Sequence, residues 1–178
     1  MKTSKPFSTI SYNTDDFLKQ HLDDLLKRDV ISFYSWIEHL PEDDEKKAHK
    51  HLYIVPNGQQ ETNGIRKLLE ELDLSNPLNP PLGCLDCRPS KFDDWYLYSC
   101  HDTAYLASKG QSRKYHYQEE NFVTSSVEAL HERIMTIDRA KYHKTQDFVN
   151  AVMQGIPFFD LVRTGQVPAP QFMQWQNW

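Results

Sequence analysis

Two stretches rich in β-branched and aromatic residues, Val30 to His39 (VISFYSWIEH) and His49 to Val55 (HKHLYIV), stand on either side of an acidic loop, Glu42-Asp43-Asp44-Glu45. That arrangement predicts an antiparallel hairpin. A strand over Phe7–Tyr12 precedes it, followed by a capped helix in which Thr14-Asp15 leads into Phe17, Leu18, Leu22, Leu25 and Leu26 at helical spacing. Pro56-Asn57-Gly58 ends the hairpin as a turn, and Ile65, Leu68, Leu69 and Leu72 then mark one apolar stripe of a second helix. The three prolines of Ser75 to Pro81 exclude regular structure and make that stretch a loop. A strand over Leu82–Arg88, a helix between a capping Ser90 and a terminating Gly110, and a strand over Lys114–Val123 follow.

The order β-α-β-β-α-β-α-β, dominated by a hairpin, predicts an α+β fold with a central antiparallel sheet and packed helices. The core domain is expected over residues 1–124. Residues 125–178 are expected to form a helical C-terminal segment, with helices over Ser125–Ala140 and Thr145–Gln154, a break at Gly155-Ile156-Pro157 and a short helical turn at Phe158–Arg163. Phe172, Trp175 and Trp178 close the chain, so this tail either packs back on the domain or supports a homo-oligomer.

The 178 residues fit one domain with an appendage, and nine Phe, nine Tyr and four Trp among well-mixed charges exclude a disordered chain. A formal charge of −5 excludes a generally basic nucleic-acid coat and leaves room only for a local basic strip. Three cysteines, Cys84, Cys87 and Cys100, make an odd count that speaks for a reducing, cytoplasmic setting. No apolar run reaches the ~20 residues that a membrane span needs, and the first residues lack the apolar core of an export signal. Neither export nor membrane insertion is expected.

The chemistry concentrates at His49-Lys50-His51. Residues two apart in a strand project from one face, so both imidazoles can reach one cation. His39 or Glu38, at the end of the preceding strand, can supply a third ligand and Glu42 a fourth; such mixed nitrogen and oxygen ligation suits Mn²⁺ or Mg²⁺ with a phosphate substrate. Read without that pattern, the two histidines are ordinary surface residues of a half-exposed strand. Cys84-Leu85-Asp86-Cys87 is half of a zinc site, which histidines would have to complete.

Further along, the string AYLASKGQSRKYHY presents Tyr105-Leu106, then Lys114, then Tyr117. A His-x-His strand followed by this tyrosine pattern resembles the HUH endonucleases, in particular the plasmid rolling-circle replication initiators, over roughly Val30 to Val123. Lys50 stands where the family has a hydrophobe, and Ser108 where it has a histidine, so a relaxase-like or transposase-like relative is the neighbouring alternative. The resemblance implies an HUH-type, ferredoxin-like or RRM-like sheet. It also implies a site-specific single-stranded DNA endonuclease and strand transferase, acting through a 5′-phosphotyrosyl intermediate to start replication.

In that reading Tyr105 is the nucleophile and Lys109, one turn later, pairs with the phosphate or the phenolate. Tyr98-Ser99-Cys100-His101 carries a competing Tyr-x-x-His pattern, which makes Tyr98 the second candidate. His39, Glu42, His49 and His51 would hold the metal. Arg113, Lys114, Tyr115 and Tyr117 alternate cations with rings and would hold single-stranded origin DNA. No phosphate-binding GxxxxGK[ST] motif occurs, so strand separation would come from supercoiling or a partner enzyme, with a host helicase and polymerase as the expected partners. The alternative is a non-catalytic nucleic-acid-binding module on an RRM-like sheet, in which the histidines are incidental.

Overall fold

The first helix shows how local sequence sets the frame. Thr14 has extended backbone and its Oγ1 accepts from the Phe17 N–H at 3.4 Å, which caps a helix over Asp15–Lys27 (α1) whose first turn carries Asp15 and Asp16. At the far end Asp29 takes a left-handed conformation (φ 59), and the amides of Arg28, Asp29 and Val30 close onto the last carbonyls. The Asp29 carboxylate also accepts from Asn57 Nδ2 at 2.6 Å, which ties this turn to the end of a later strand.

The computed structural model describes residues 2–41, 48–61, 88–89, 91–140, 142 and 154–155. Within them the strands are β1 (Lys2–Thr3), β2 (Phe7–Ser11), β3 (Ile31–His39), β4 (His49–Pro56), β5 (Gln60–Glu61), β6 (Arg88–Pro89) and β7 (Val123–Thr124). The helices are α1, α2 (Phe92–Ser99), α3 (Thr103–Ser108) and α4 (Val127–Met135), with a 3-10 turn at Glu119–Asn121. Strands β6-β2-β4-β3-β7 form one sheet, and β1 pairs with β5 beside it; every pairing is antiparallel. Among the described residues no helix is long and apolar enough to cross a membrane.

Two compact units divide the chain. One comprises residues 1–100 and 114–137, the other residues 101–113 and 138–178. The sheet belongs to the first unit. Register places Tyr34 opposite Ile54 and Trp36 opposite Leu52, so these share a face with Phe7 and, through α1, bury Leu18, Leu22 and Leu25. A register shift between Ile31 and Phe33 turns Ile31 onto this same face although strict alternation would send it to the other. Tyr34 donates to Asp23 Oδ1 at 2.6 Å from within this core.

The opposite face carries Phe33, Ile37, His39, His49, His51 and Tyr53. Helix α2 covers it: Tyr53 meets Phe92 and Trp95 at 5.5 and 5.0 Å between ring centres, and Phe122 meets Trp95 and Tyr96 at 5.5 and 5.1 Å. Helix α4 reaches the same face through Arg133, whose guanidinium lies 4.9 Å over the Phe33 ring.

The α+β class, the antiparallel sheet, the capped first helix and the hairpin agree with the sequence reading. Two elements differ. The single helix expected between Ser90 and Gly110 is two helices, α2 and α3, separated where His101 adopts φ 56 and Asp102 starts a new cap by accepting from the Tyr105 N–H at 2.9 Å. The strand expected over Lys114–Val123 is reduced to β7 and a 3-10 turn, because the Gln118 side chain and the Asn121 side chain cap that turn reciprocally and take the amides a ladder would need. Of the strand expected over Leu82–Arg88, Arg88 is among the described residues and lies in β6; the rest falls outside them. The helices expected around Ile65–Leu72, over Thr145–Gln154 except for Gln154 itself, and at Phe158–Arg163, and the closing aromatic residues, fall outside the described residues.

Leu22 is fully buried in the α1 face, so Leu22→Ala is expected to lower the unfolding free energy in urea by about 2–5 kcal/mol. Burial, with help from the Asp23 carboxylate, raises the Tyr34 phenol above its ordinary value; burial raises the Tyr53 phenol to about 12, with Arg133 opposing and Asp93 adding to the rise. Both phenols stay protonated in the folded chain while the unfolded chain ionises near pH 10. Stability is therefore expected to hold below about pH 10 and to fall as pH rises towards 12. Urea midpoints measured across that range check this, and Tyr53→Phe is expected to shallow the fall.

Candidate metal centre

Pairing of β3 with β4 puts His39 directly opposite His49, and Ile37 opposite His51. Because the side-chain period of a strand is two, all three imidazoles emerge from one face at the end of the hairpin that leads into the acidic loop. The ring centres of His39 and His51 lie 4.3 Å apart, those of His49 and His51 4.9 Å, and those of His39 and His49 5.5 Å. One nitrogen from each ring lies within 4.8 Å of the others. His39 and His51 are buried and His49 is half-buried, so the cluster is sheltered with one side towards solvent.

These residues fit a cation. Two nitrogens bound to one ion at ~2.1 Å stand ~3.0–3.4 Å apart for right-angle to tetrahedral geometry, and His49 Nε2 and His51 Nε2 are 3.1 Å apart. His39 Nε2 lies 2.7 Å from the Ser99 carbonyl oxygen, to which it donates, which is the outer-sphere contact that orients ligating histidines. Its Nδ1 is then the nitrogen left with a lone pair.

Glu38 and Lys50 go the other way. They are opposite each other in register and share the α1 face, where Lys50 Nζ is 3.0 Å from Glu38 Oε1 and 3.3 Å from Asp15 Oδ1. Geometry thus groups His39, and not Glu38, with the histidine pair. Lys50, which departs from a hydrophobic pattern at the centre of the triad, points away from it and is held by two carboxylates. Glu42 lies outside the described residues, as do Cys84 and Cys87.

Aromatic rings surround the triad. The Tyr98 ring centre is 5.4 Å from that of His51 and 6.4 Å from that of His39, and Tyr117 lies parallel to His39 (3°) at 5.3 Å. Tyr12 stands 6.1 Å from His49. Tyr98 sits in the last turn of α2 and is half-buried, so its ring is held against the histidines while part of it meets solvent. The Tyr-x-x-His pattern beginning at Tyr98 was the sequence signal for this placement.

Tyr105 and Lys109 belong to the second unit. Tyr105 is 6% exposed in α3, its ring edge-on to Tyr142 at 5.1 Å, with Lys109 Nζ 5.4 Å from the ring centre. Its carbonyl accepts from Ser108 Oγ at 2.6 Å. Arg113, also of that unit, donates to the Ser112 carbonyl at 3.2 Å. In the first unit Lys114 is exposed and lies 5.3 Å over the half-buried ring of Tyr115. The structure therefore brings Tyr98 and Tyr117 together with His39, His49 and His51, and the Tyr117 contact with His39 had no sequence signal of its own. In comparisons with known proteins, no family model and no curated protein matches this chain.

Proposed function

We propose that the chain is a metal-dependent endonuclease and strand transferase of the HUH type, acting on single-stranded DNA and initiating rolling-circle replication, with Tyr98 as its nucleophile. The observation that carries the reading is the half-buried Tyr98 phenol ring against His51 and His39, within the same compact unit as the triad. Tyr105 is the competing nucleophile, and its near-complete burial beside Tyr142 makes it the poorer one.

The chemistry asks for two things at one phosphorus atom, a nucleophile and a positive centre that offsets charge on the phosphate oxygens. His39, His49 and His51 would hold the ion, and a nitrogen-only set of this kind suits a transition ion such as Mn²⁺ better than Mg²⁺. Such an ion, when bound, supplies the charge that polarises the scissile phosphate. The Tyr98 oxygen attacks phosphorus, the bond to the 3′ oxygen breaks, and that oxygen leaves as a 3′ hydroxyl after taking up a proton. The phosphate stays on Tyr98 as a 5′-phosphotyrosyl ester, which keeps the bond energy for rejoining by the reverse attack of a 3′ hydroxyl. A free phenol ionises near pH ~10, so removal of its proton needs the charge or a base of the site.

Lys114 and Tyr115, with their cation-over-ring contact, are the candidates for holding a DNA strand by phosphate pairing and base stacking. Opening of the duplex would come from a host helicase, and synthesis from a host polymerase, in the cytoplasm.

Incubation with origin-type single-stranded DNA and Mn²⁺ is expected to give a covalent protein–DNA adduct on a denaturing gel. Tyr98→Phe is expected to abolish the adduct and Tyr105→Phe to leave it within about threefold of wild type, since nucleophile removal takes away the covalent step outright. The opposite pattern returns the nucleophile to Tyr105. No adduct with any such DNA favours a non-catalytic nucleic-acid-binding module. In the same assay His49→Ala and His51→Ala are expected to lower the rate at least about a hundredfold, because either leaves the ion two ligands.

A further inference from the structure

A helix that ends leaves its last carbonyls without partners inside the helix. At the end of α2 two of them are taken up by residues distant in sequence. The Ser99 carbonyl accepts from His39 Nε2 at 2.7 Å, and the Cys100 carbonyl accepts from the Tyr117 amide at 3.0 Å. The same two residues also hold each other. The Tyr117 ring lies parallel to the His39 imidazole, 3° between planes and 5.3 Å between centres, and its phenol oxygen accepts from the Leu40 N–H at 3.0 Å.

Tyr117 therefore touches the end of β3 twice, at the ring of residue 39 and at the amide of residue 40, while its own backbone is fixed to the helix that carries Tyr98. A neutral imidazole bears one N–H, and the nitrogen facing a carbonyl must be the one that carries it. Rotation of the His39 ring about its Cβ–Cγ bond would put a carbon where each nitrogen now stands and take Nε2–H off the Ser99 carbonyl; the flat Tyr117 ring on one side blocks that rotation.

We propose that Tyr117 is a positioning residue of the metal centre. It commits His39 Nε2–H to the Ser99 carbonyl, leaves Nδ1 as the ligand atom, and so fixes the ligand set relative to the turn that ends in Tyr98. The inference rests on the metal-centre reading above and assigns Tyr117 a role other than stacking on DNA bases.

The test uses the full chain, stripped with a chelator and titrated with Mn²⁺ while free Mn²⁺ is followed by electron paramagnetic resonance. Tyr117→Ala is expected to weaken Mn²⁺ binding by about 10–100-fold, the range seen when an outer partner of a ligating histidine is lost. Tyr117→Phe, which keeps the ring and loses only the acceptor for Leu40, is expected to restore most of the affinity. Two-bond ¹H–¹⁵N correlations are expected to show His39 as the Nε2–H tautomer in the wild type and in Tyr117→Phe, and as a tautomer mixture in Tyr117→Ala. If thermal melting shows that Tyr117→Ala fails to fold, Tyr117→Leu replaces it with the same expectation.

Wild-type Mn²⁺ affinity and an unchanged His39 tautomer in the ring-less variant, with His39→Ala still weakening the ion, would overturn the inference alone. A fall in affinity for single-stranded DNA without any change in Mn²⁺ binding would also overturn it and return Tyr117 to base stacking. Mn²⁺ binding that His39→Ala leaves unchanged would remove the metal-centre reading and this inference together. The expected Mn²⁺ and tautomer results in a chain that forms no DNA adduct would leave the inference standing and the nickase reading failed.

Discussion

The pairing of β3 with β4 in one register governs everything built on this sheet. His39 opposite His49, with His51 one step along the same face, is a consequence of backbone hydrogen bonds and of the two-residue period of side chains. A slip by one residue would send the His49 and His51 imidazoles into the α1 face and bring Lys50 and Leu52 out beneath α2. The slip is opposed at many points at once, because Trp36 opposite Leu52 and Tyr34 opposite Ile54 would have to leave the buried core that the sheet shares with α1. The apolar face thus holds the polar face in place.

Charge is distributed with the same logic. Lys50 lies between two histidines in sequence but on the other side of the sheet, its side chain 7% exposed and its ammonium 3.0 and 3.3 Å from carboxylates of Glu38 and Asp15. Withdrawing an ammonium from water is costly unless opposite charge and hydrogen bonds offset it, and both carboxylates remain in contact with solvent. The outcome is that a cation adjacent in the chain to the triad does not compete for the space where a metal cation would sit. Asp15 takes part from the first turn of α1, where its negative charge also complements the helix dipole.

The end of α2 joins sheet chemistry to helix chemistry. Its terminal carbonyls are met by a ring from β3 and by an amide from the segment that follows α3 in sequence, so the acceptors left where the helix stops at Ser99 find partners from elsewhere. His101 then adopts a left-handed backbone, an uncommon conformation for a residue with a side chain, and the chain leaves in a new direction. Tyr98, one residue before that stop, is held by the same contacts that hold His39.

Local chemistry was sufficient for the elements themselves. The Thr14 cap and its leucine spacing, the β-branched and aromatic strands, and the shared face of His49 and His51 follow from interactions between residues close in the chain, which any copy of these segments would make. The third histidine of the cluster required a register, and the choice between Glu38 and His39 could be made only once strand was laid against strand. The break between α2 and α3 was invisible because Ser90 to Gly110 has helical composition throughout, and the groups that end α2 come from β3 and from Tyr117. In the same way a tyrosine pattern in sequence offered both Tyr98 and Tyr105. Which of them stands beside the imidazoles depends on packing between distant segments, and the tertiary structure alone sets Tyr98 there, since proximity across a fold is a property of the assembled sheet and not of residue spacing.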